Sequence, residues 1–257
     1  SGPLGGRHGT YATAVEKFGH LQRLGVNVIE VMPAAEFAGD VSWGYNPAYC
    51  FAVESAYGGP KAFKEFVKAA HRAKIGVVLD VVYNHFGPGD LGLWQFDGWS
   101  ENGGGGIYFY NDWRRKTPWG DNRPDYGRGE VRQFIYDNAF FWLDEFHLDG
   151  LRFDMTLFMR SVDGNLGQDL PDGWSLVQWI NRDISGRFPG RITIAEDLRN
   201  NEWLTKPTDA GGAGFGAQWD ANFVHPIRKA VTGAVDANRS LGSVRDAARL
   251  GGPVNER

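Results

Sequence analysis

A chain of 257 residues with 42% hydrophobic content is long enough to bury one large α/β core. Its net charge of -4, with acids and bases interspersed, leaves no basic stripe for a phosphate backbone and no polybasic membrane patch, so neither nucleic acid nor membrane is an expected partner. The lone cysteine, Cys50, allows no internal disulfide, zinc spacing or redox pair, and reads as packing.

No apolar run reaches about 18 residues, and no charged-then-apolar leader opens the chain, so the expected location is the cytoplasm. Residues 1–9 form a Gly-rich lead. From Thr10, Tyr11, Ala14, Val15, Phe18, Leu21 and Leu24 recur at helical spacing, with Thr13 and Glu16 as a capping box and Gly25 as a stop. Residues 26–32 are a nearly continuous apolar run, as expected for a strand covered on both faces. A helix from Pro60 to about Gly76 and a strand over 77–82 follow. After a long break come a helix over 129–146, a strand over 148–153, a helix over 173–188 and a strand over 191–196. A weaker strand over 215–219 and a helix over about 224–234 complete the series. Regular strand and helix alternation without a Gly-x-Gly-x-x-Gly turn favours a (β/α)8 TIM barrel over a dinucleotide fold. Only five strands are legible, so the barrel is expected to be incomplete, lacking its first strand and its last two.

The break, 86–128, is too long for an ordinary loop and is dense in Gly, Trp, Tyr and Asp. It follows a strand's C-terminal end and is expected to cover the mouth as an inserted loop or small subdomain within a partial catalytic domain spanning 1–257. Of its rings (Trp94, Phe96, Trp99, Tyr108, Phe109, Tyr110, Trp113, Trp119 and Tyr126), about half are expected to pack the insert. The remainder suit flat ligands such as sugars.

Three strands end in polar groups: Asp80 with Asn84 and His85, Arg152 with Asp154, and Glu196 with Asp197. In a barrel these ends converge on one mouth. Arg152 and Asp154 stand two apart and so share one strand face, where each compensates the other's charge. Two carboxylates across a small gap, one ionised and one protonated, suit glycosidic bond cleavage. On that reading Arg152 keeps Asp154 ionised as the nucleophile, and Glu196 is general acid and then base. Taken singly, Asp154 with Arg152 reads more readily as a structural ion pair and Glu196 as a solvated or capping acid, and His85 has a lesser alternative as a satisfied interior histidine.

In their order, Asp80-Val-Val-Tyr-Asn-His85, Gly150-Leu-Arg-Phe-Asp154 and Ile194-Ala-Glu196 resemble the signature regions of the α-amylase superfamily, retaining enzymes built on a (β/α)8 barrel. Trp43-Gly-Tyr45-Asn-Pro47 looks like that family's loop whose Tyr stacks on the sugar. The resemblance runs from about Thr10 to the chain end. It implies Asp154 as nucleophile, Glu196 as acid/base, and Tyr45, His85, Arg152, Asp80 and Asn84 as substrate-binding or supporting residues. The implied substrate is an α-glucan or maltooligosaccharide, hydrolysed as by an α-amylase or a maltooligosyltrehalose trehalohydrolase. A 1,4-α-glucan branching transglycosylase is the alternative, and an inactive glucan-binding fragment the second.

The chain departs from the pattern in two places. The family's third carboxylate, an Asp in a His-Asp pair on the seventh strand, has no counterpart: His225 is followed by Pro226, and Asp197 faces away from Glu196. The expectation is a native protein that begins before Ser1 and continues past Arg257, and a 257-residue chain that is itself inactive. Family members that hold calcium do so through an Asn matching Asn84, together with loop ligands and a His where this chain has Leu157 and Phe158. No metal or other cofactor is therefore assigned, and the oligomeric state is left open.

Overall fold

The computed structural model describes residues 8–87, 92–165 and 169–250. Its elements are α1 (Tyr11–Val15), α2 (Phe18–Arg23), β1 (Val28–Val31), β2 (Ala35–Phe37), β3 (Pro47–Val53), α3 (Gly59–Arg72) and β4 (Gly76–Val81). They continue as α4 (Gly129–Glu145), β5 (Gly150–Phe153), α5 (Leu157–Arg160), α6 (Pro171–Arg187), β6 (Ile192–Ala195), β7 (Ala217–Gln218), α7 (Ala221–Thr232) and α8 (Leu241–Leu250). The single helix expected from Thr10 is two, and the capping box is Thr10 with Thr13, one turn earlier than the spacing suggests. Gly25 does stop α2, at φ +77.

The five expected strands form one parallel sheet in the order β1-β4-β5-β6-β7. The sheet is open, with β1 and β7 as its edges, so the described residues do not form a closed barrel. Val28 pairs with Gly76, Val78 with Gly150, Gly150 with Ile192 and Ile194 with Ala217. Alternation then assigns each residue a face. On one face Val77, Leu79, Val81, Leu151, Phe153 and Ala195 are buried in a single core with Phe63 and Val67 of α3, Ile135 and Trp142 of α4 and Ile180 of α6. The other face carries Val28, Glu30, Asp80, Arg152 and Ile194; toward its edge and base Val28 is 51% exposed and Ile192 39%. β5 and β6 approach so closely at Gly150 that a Cβ there would lie 2.4 Å from the Ile192 carbonyl oxygen.

An antiparallel hairpin, β2 with β3, stands apart from the sheet and was not expected from the sequence; its register shifts twice in three residues. It carries Tyr45 in its connection. Cys50 on β3 is buried, as the sequence reading has it.

The insert after β4 has little regular structure beyond a turn of 3-10 helix at Trp113–Arg115 and two isolated bridges, Phe109 with Pro124 and Thr117 with Gly120. Residues 88–91 of the expected insert lie outside the described residues. Its rings divide: Phe109, Tyr110 and Tyr126 are buried, while Phe96, Trp99, Trp113 and Trp119 are exposed. A fully buried Arg123 ties it down, donating to the carbonyls of Arg114, Lys116, Phe158 and Val162.

Candidate active site

Register and alternation build the site. Asp80 and Arg152 are direct neighbours on β4 and β5, and Arg152 is opposite Ile194 on β6. Two residues further along, Asp154 and Glu196 extend the ladder past the strand ends: the Asp154 N–H donates to the Val81 carbonyl at 2.9 Å, and the Glu196 N–H to the Phe153 carbonyl at 3.1 Å. All four side chains therefore leave the same face at the C-terminal end of the sheet.

The Arg152 guanidinium is the hub. Its Nη1 donates to both oxygens of Asp80 at 2.6 Å and to Asp154 Oδ1 at 3.0 Å, and its Nη2 lies 2.7 Å from Glu196 Oε2. It also sits 4.1 Å from the centroid of the Trp219 ring, a cation-π contact. Tyr45 Oη donates to Asp80 Oδ2 at 2.5 Å. Asn84 Nδ2 donates to the Asp154 carbonyl and to its Oδ2, both at 2.8 Å. The His85 ring lies between two oxygens, Asn84 Oδ1 at 2.5 Å and the Tyr45 carbonyl at 2.8 Å. Trp119 of the insert stacks on His85 with centroids 4.5 Å apart. The structure thus brings Asp154, Glu196, Arg152, Asp80, Asn84, His85 and Tyr45 into one cluster.

Three carboxylates around one guanidinium cannot all be neutralised by it, and the protonation of the site follows from that imbalance. Burial pushes the Asp154 carboxyl up to about 7; Arg152 opposes this, Asp80 adds to it, Asn84 opposes and Glu196 adds. Arg152 thus favours the ionised form of Asp154, as expected, but its Nη1 is shared with Asp80 and the carboxyl stays above its ordinary value. Asp80 is also raised by burial, against the pull of Arg152 and the Tyr45 hydroxyl. Burial opposes the charge of Arg152, but Asp80, Glu196 and Asp154 more than compensate and hold it protonated. His85 is pushed down to about 4, chiefly by burial, so near neutral pH the ring is uncharged and donates through one nitrogen only.

The site does not fit a calcium ion. The Asn84 amide is already engaged on both sides, by His85 and by Asp154, and Leu157 and Phe158 offer no side-chain oxygen. Among the described residues, no group of three or more His, Cys, Asp or Glu side chains is placed to hold a metal.

Other parts of the site escape the sequence reading. Trp219 falls in the weaker strand expected over 215–219, which the structure shortens to Ala217–Gln218, and nothing in the sequence marks its ring as a partner of Arg152. Met155, next to Asp154, has φ +39 and turns its N–H onto Glu196 Oε2 at 3.0 Å. Asp197 does face away from Glu196, but into a buried ion pair with Arg160, a residue with no sequence signal at all. Two polar residues after β7 lie outside the cluster: Asp220 caps α7 by accepting the Asn222 N–H at 2.8 Å, and His225 is exposed on that helix.

Comparison with known proteins adds to this geometry. Residues 4–92 match the family model described as alpha amylase, catalytic domain. Over 219 residues the chain is 37% identical to the 1,4-alpha-glucan branching enzyme GlgB of Pseudoalteromonas atlantica, covering 80% of this chain and 29% of that enzyme. It is 36% identical over 241 residues to the malto-oligosyltrehalose trehalohydrolase of Saccharolobus solfataricus, covering 93% of this chain and 39% of that protein. The chain therefore spans about a third of the length of these relatives. A 1.4 Å crystal structure from Salmonella typhimurium, described as a provisionally assigned alpha amylase, superposes with a TM-score of 0.69 at 35% identity, over 87% of this chain and 35% of that one.

Proposed function

We propose that this chain, which belongs to the α-amylase superfamily, carries the nucleophile and the acid/base with which α-glucosidic bonds are cleaved with retention. Asp154 attacks the anomeric carbon, and Glu196 protonates the departing oxygen. Glu196 then takes the proton of the acceptor that releases the glucosyl intermediate. Water is the acceptor we favour, giving hydrolysis of α-glucans or maltooligosaccharides. The observation that carries the reading is the Arg152 guanidinium bonded at once to Asp154, Glu196 and Asp80, which fixes two carboxylates from different strands side by side. Retention requires them about 5 to 5.5 Å apart.

Tyr45 and His85, backed by Asp80 and Asn84, would bind the sugar at the cleavage point. The exposed insert rings would contact further glucose units. The 86–128 insert and the open sheet belong, in this reading, to one catalytic barrel whose remaining strands and third carboxylate lie in other parts of a longer protein. Transfer to a glucan hydroxyl, as in branching, is the second reading, supported by the identity to branching enzymes.

Incubation of the purified chain, and of a version extended at both ends, with soluble starch and with maltooligosyltrehalose separates these. Hydrolysis releases reducing sugar or trehalose. Branching changes the iodine colour without new reducing ends, and binding without either reaction contradicts both.

A further inference from the structure

We propose that Arg160 and Asp197 form a clamp that positions Glu196 against Asp154, an inference that rests on the role proposed above for Glu196. Asp197 follows Glu196 and, in extended backbone, its side chain leaves on the opposite side. There it meets Arg160: Nε donates to Oδ2 at 2.8 Å and Nη2 to Oδ1 at 2.9 Å. The two prongs define an angle as well as a distance, and a planar guanidinium cannot swivel without breaking one of them. Arg160 is 1% exposed and Asp197 fully buried. The pair is therefore unscreened, and neither partner has water to fall back on.

The clamp joins the segment that begins with one proposed catalytic carboxylate to the segment that carries the other. From Asp154 to Arg160 the chain is bound to Glu196 and Asp197 at three levels. Met155 N–H holds the Glu196 carboxylate at 3.0 Å. Thr156 holds the Glu196 carbonyl, through its N–H at 2.8 Å and its Oγ1 at 3.0 Å. Arg160 holds Asp197 beyond it.

The backbone on either side needs such restraint. Met155 at φ +39 and Leu198 at φ +61 are both in the left-handed region, which costs a side-chain-bearing residue of order 1 kcal/mol or more. The sheet supplies little help, since β6 has four residues and β7 only two. A buried ion pair adds little stability over an apolar pair of equal volume, so its distinctive contribution here is orientation.

The test is the double variant Arg160→Met with Asp197→Leu, which removes the fork without leaving a lone buried charge. In the enzyme that carries this chain, we expect KM within about twofold of the parent and kcat lower by roughly ten- to a hundredfold, the loss typical of a displaced catalytic group. In the 257-residue chain, the backbone amide proton of Met155, hydrogen-bonded to Glu196, should shift upfield in the NMR spectrum. Unchanged kcat or an unmoved Met155 amide overturns the clamp. If the double variant does not fold, Arg160→Lys keeps the charge and loses the fork. A smaller loss of kcat at constant KM then supports the clamp, and parental kcat overturns it. A parent enzyme without turnover on any α-glucan removes the functional reading alone, and the Met155 amide still decides the clamp.

Discussion

At the scale of single residues, the protonation of Asp154 gives the sharpest consequence. Burial raises its folded-state pKa to about 7 from the ordinary 3.8, so between those values the folded chain holds a proton that the unfolded chain has released. That stabilisation is complete below about pH 4 and lost as the pH rises through about 7. Asn has no proton to lose and, like the protonated acid, keeps a single carbonyl oxygen that accepts from one of the two donors, Arg152 or Asn84. Asp154→Asn should therefore match the parent near pH 4 and exceed it by about 1–3 kcal/mol at pH 8, while abolishing turnover. Urea midpoints at both pH values check this, and parallel pH profiles would refute it. Asp154, Glu196, Arg152 and Asp80 were legible before any coordinates, because charged groups at the ends of apolar runs are costly without a purpose; Tyr45 and the roles of Asn84 and His85 came only with the resemblance of their motifs to the α-amylase signature regions. Their charge states were not legible, because those depend on how one guanidinium is shared among three carboxylates. Arg160 was invisible for a related reason: it meets Asp197 only after the chain folds.

At the scale of elements, strand and helix alternation was readable because the central strands β4 and β5 are buried and mostly apolar; β1, expected to be covered on both faces, has no fully buried residue. The hairpin of β2 and β3 was missed: Pro47, Tyr45 and Gly44 mark a turn, and two register shifts erase the alternation that would have flagged its strands. The contact between β5 and β6 was equally unreadable, though it makes a strong demand on sequence. At Gly150 an added methyl meets the Ile192 carbonyl oxygen, whereas at Gly186, inside α6, it meets nothing within 4 Å. Gly150→Ala should cost about 1–3 kcal/mol by forcing the strands apart. Gly186→Ala should instead stabilise by about 0.5–1 kcal/mol, because alanine loses less backbone freedom in a helix. Thermal unfolding of the pair measures the difference, and equal shifts would argue against close approach at β5 and β6.

At the scale of the whole molecule, the open sheet dominates. Its edge strands, β1 and β7, have no partner on their outer sides among the described residues, and Val28 and Met32, at 51% and 50% exposure, are apolar side chains left facing solvent. Unpaired edges beside exposed apolar surface promote association. The isolated chain should bind an apolar dye and self-associate as its concentration rises, and the version extended at both ends should do neither. A monomeric, dye-free isolated chain would show that the sheet needs no further strands. The central claim, a covalent intermediate on Asp154, is tested most directly in that extended version. Glu196→Gln, which slows release of the intermediate, is mixed with an activated α-maltosyl fluoride, digested and examined by peptide mass spectrometry. We predict a maltosyl adduct on the peptide carrying Asp154; turnover with inverted anomeric configuration and no labelled peptide would contradict it.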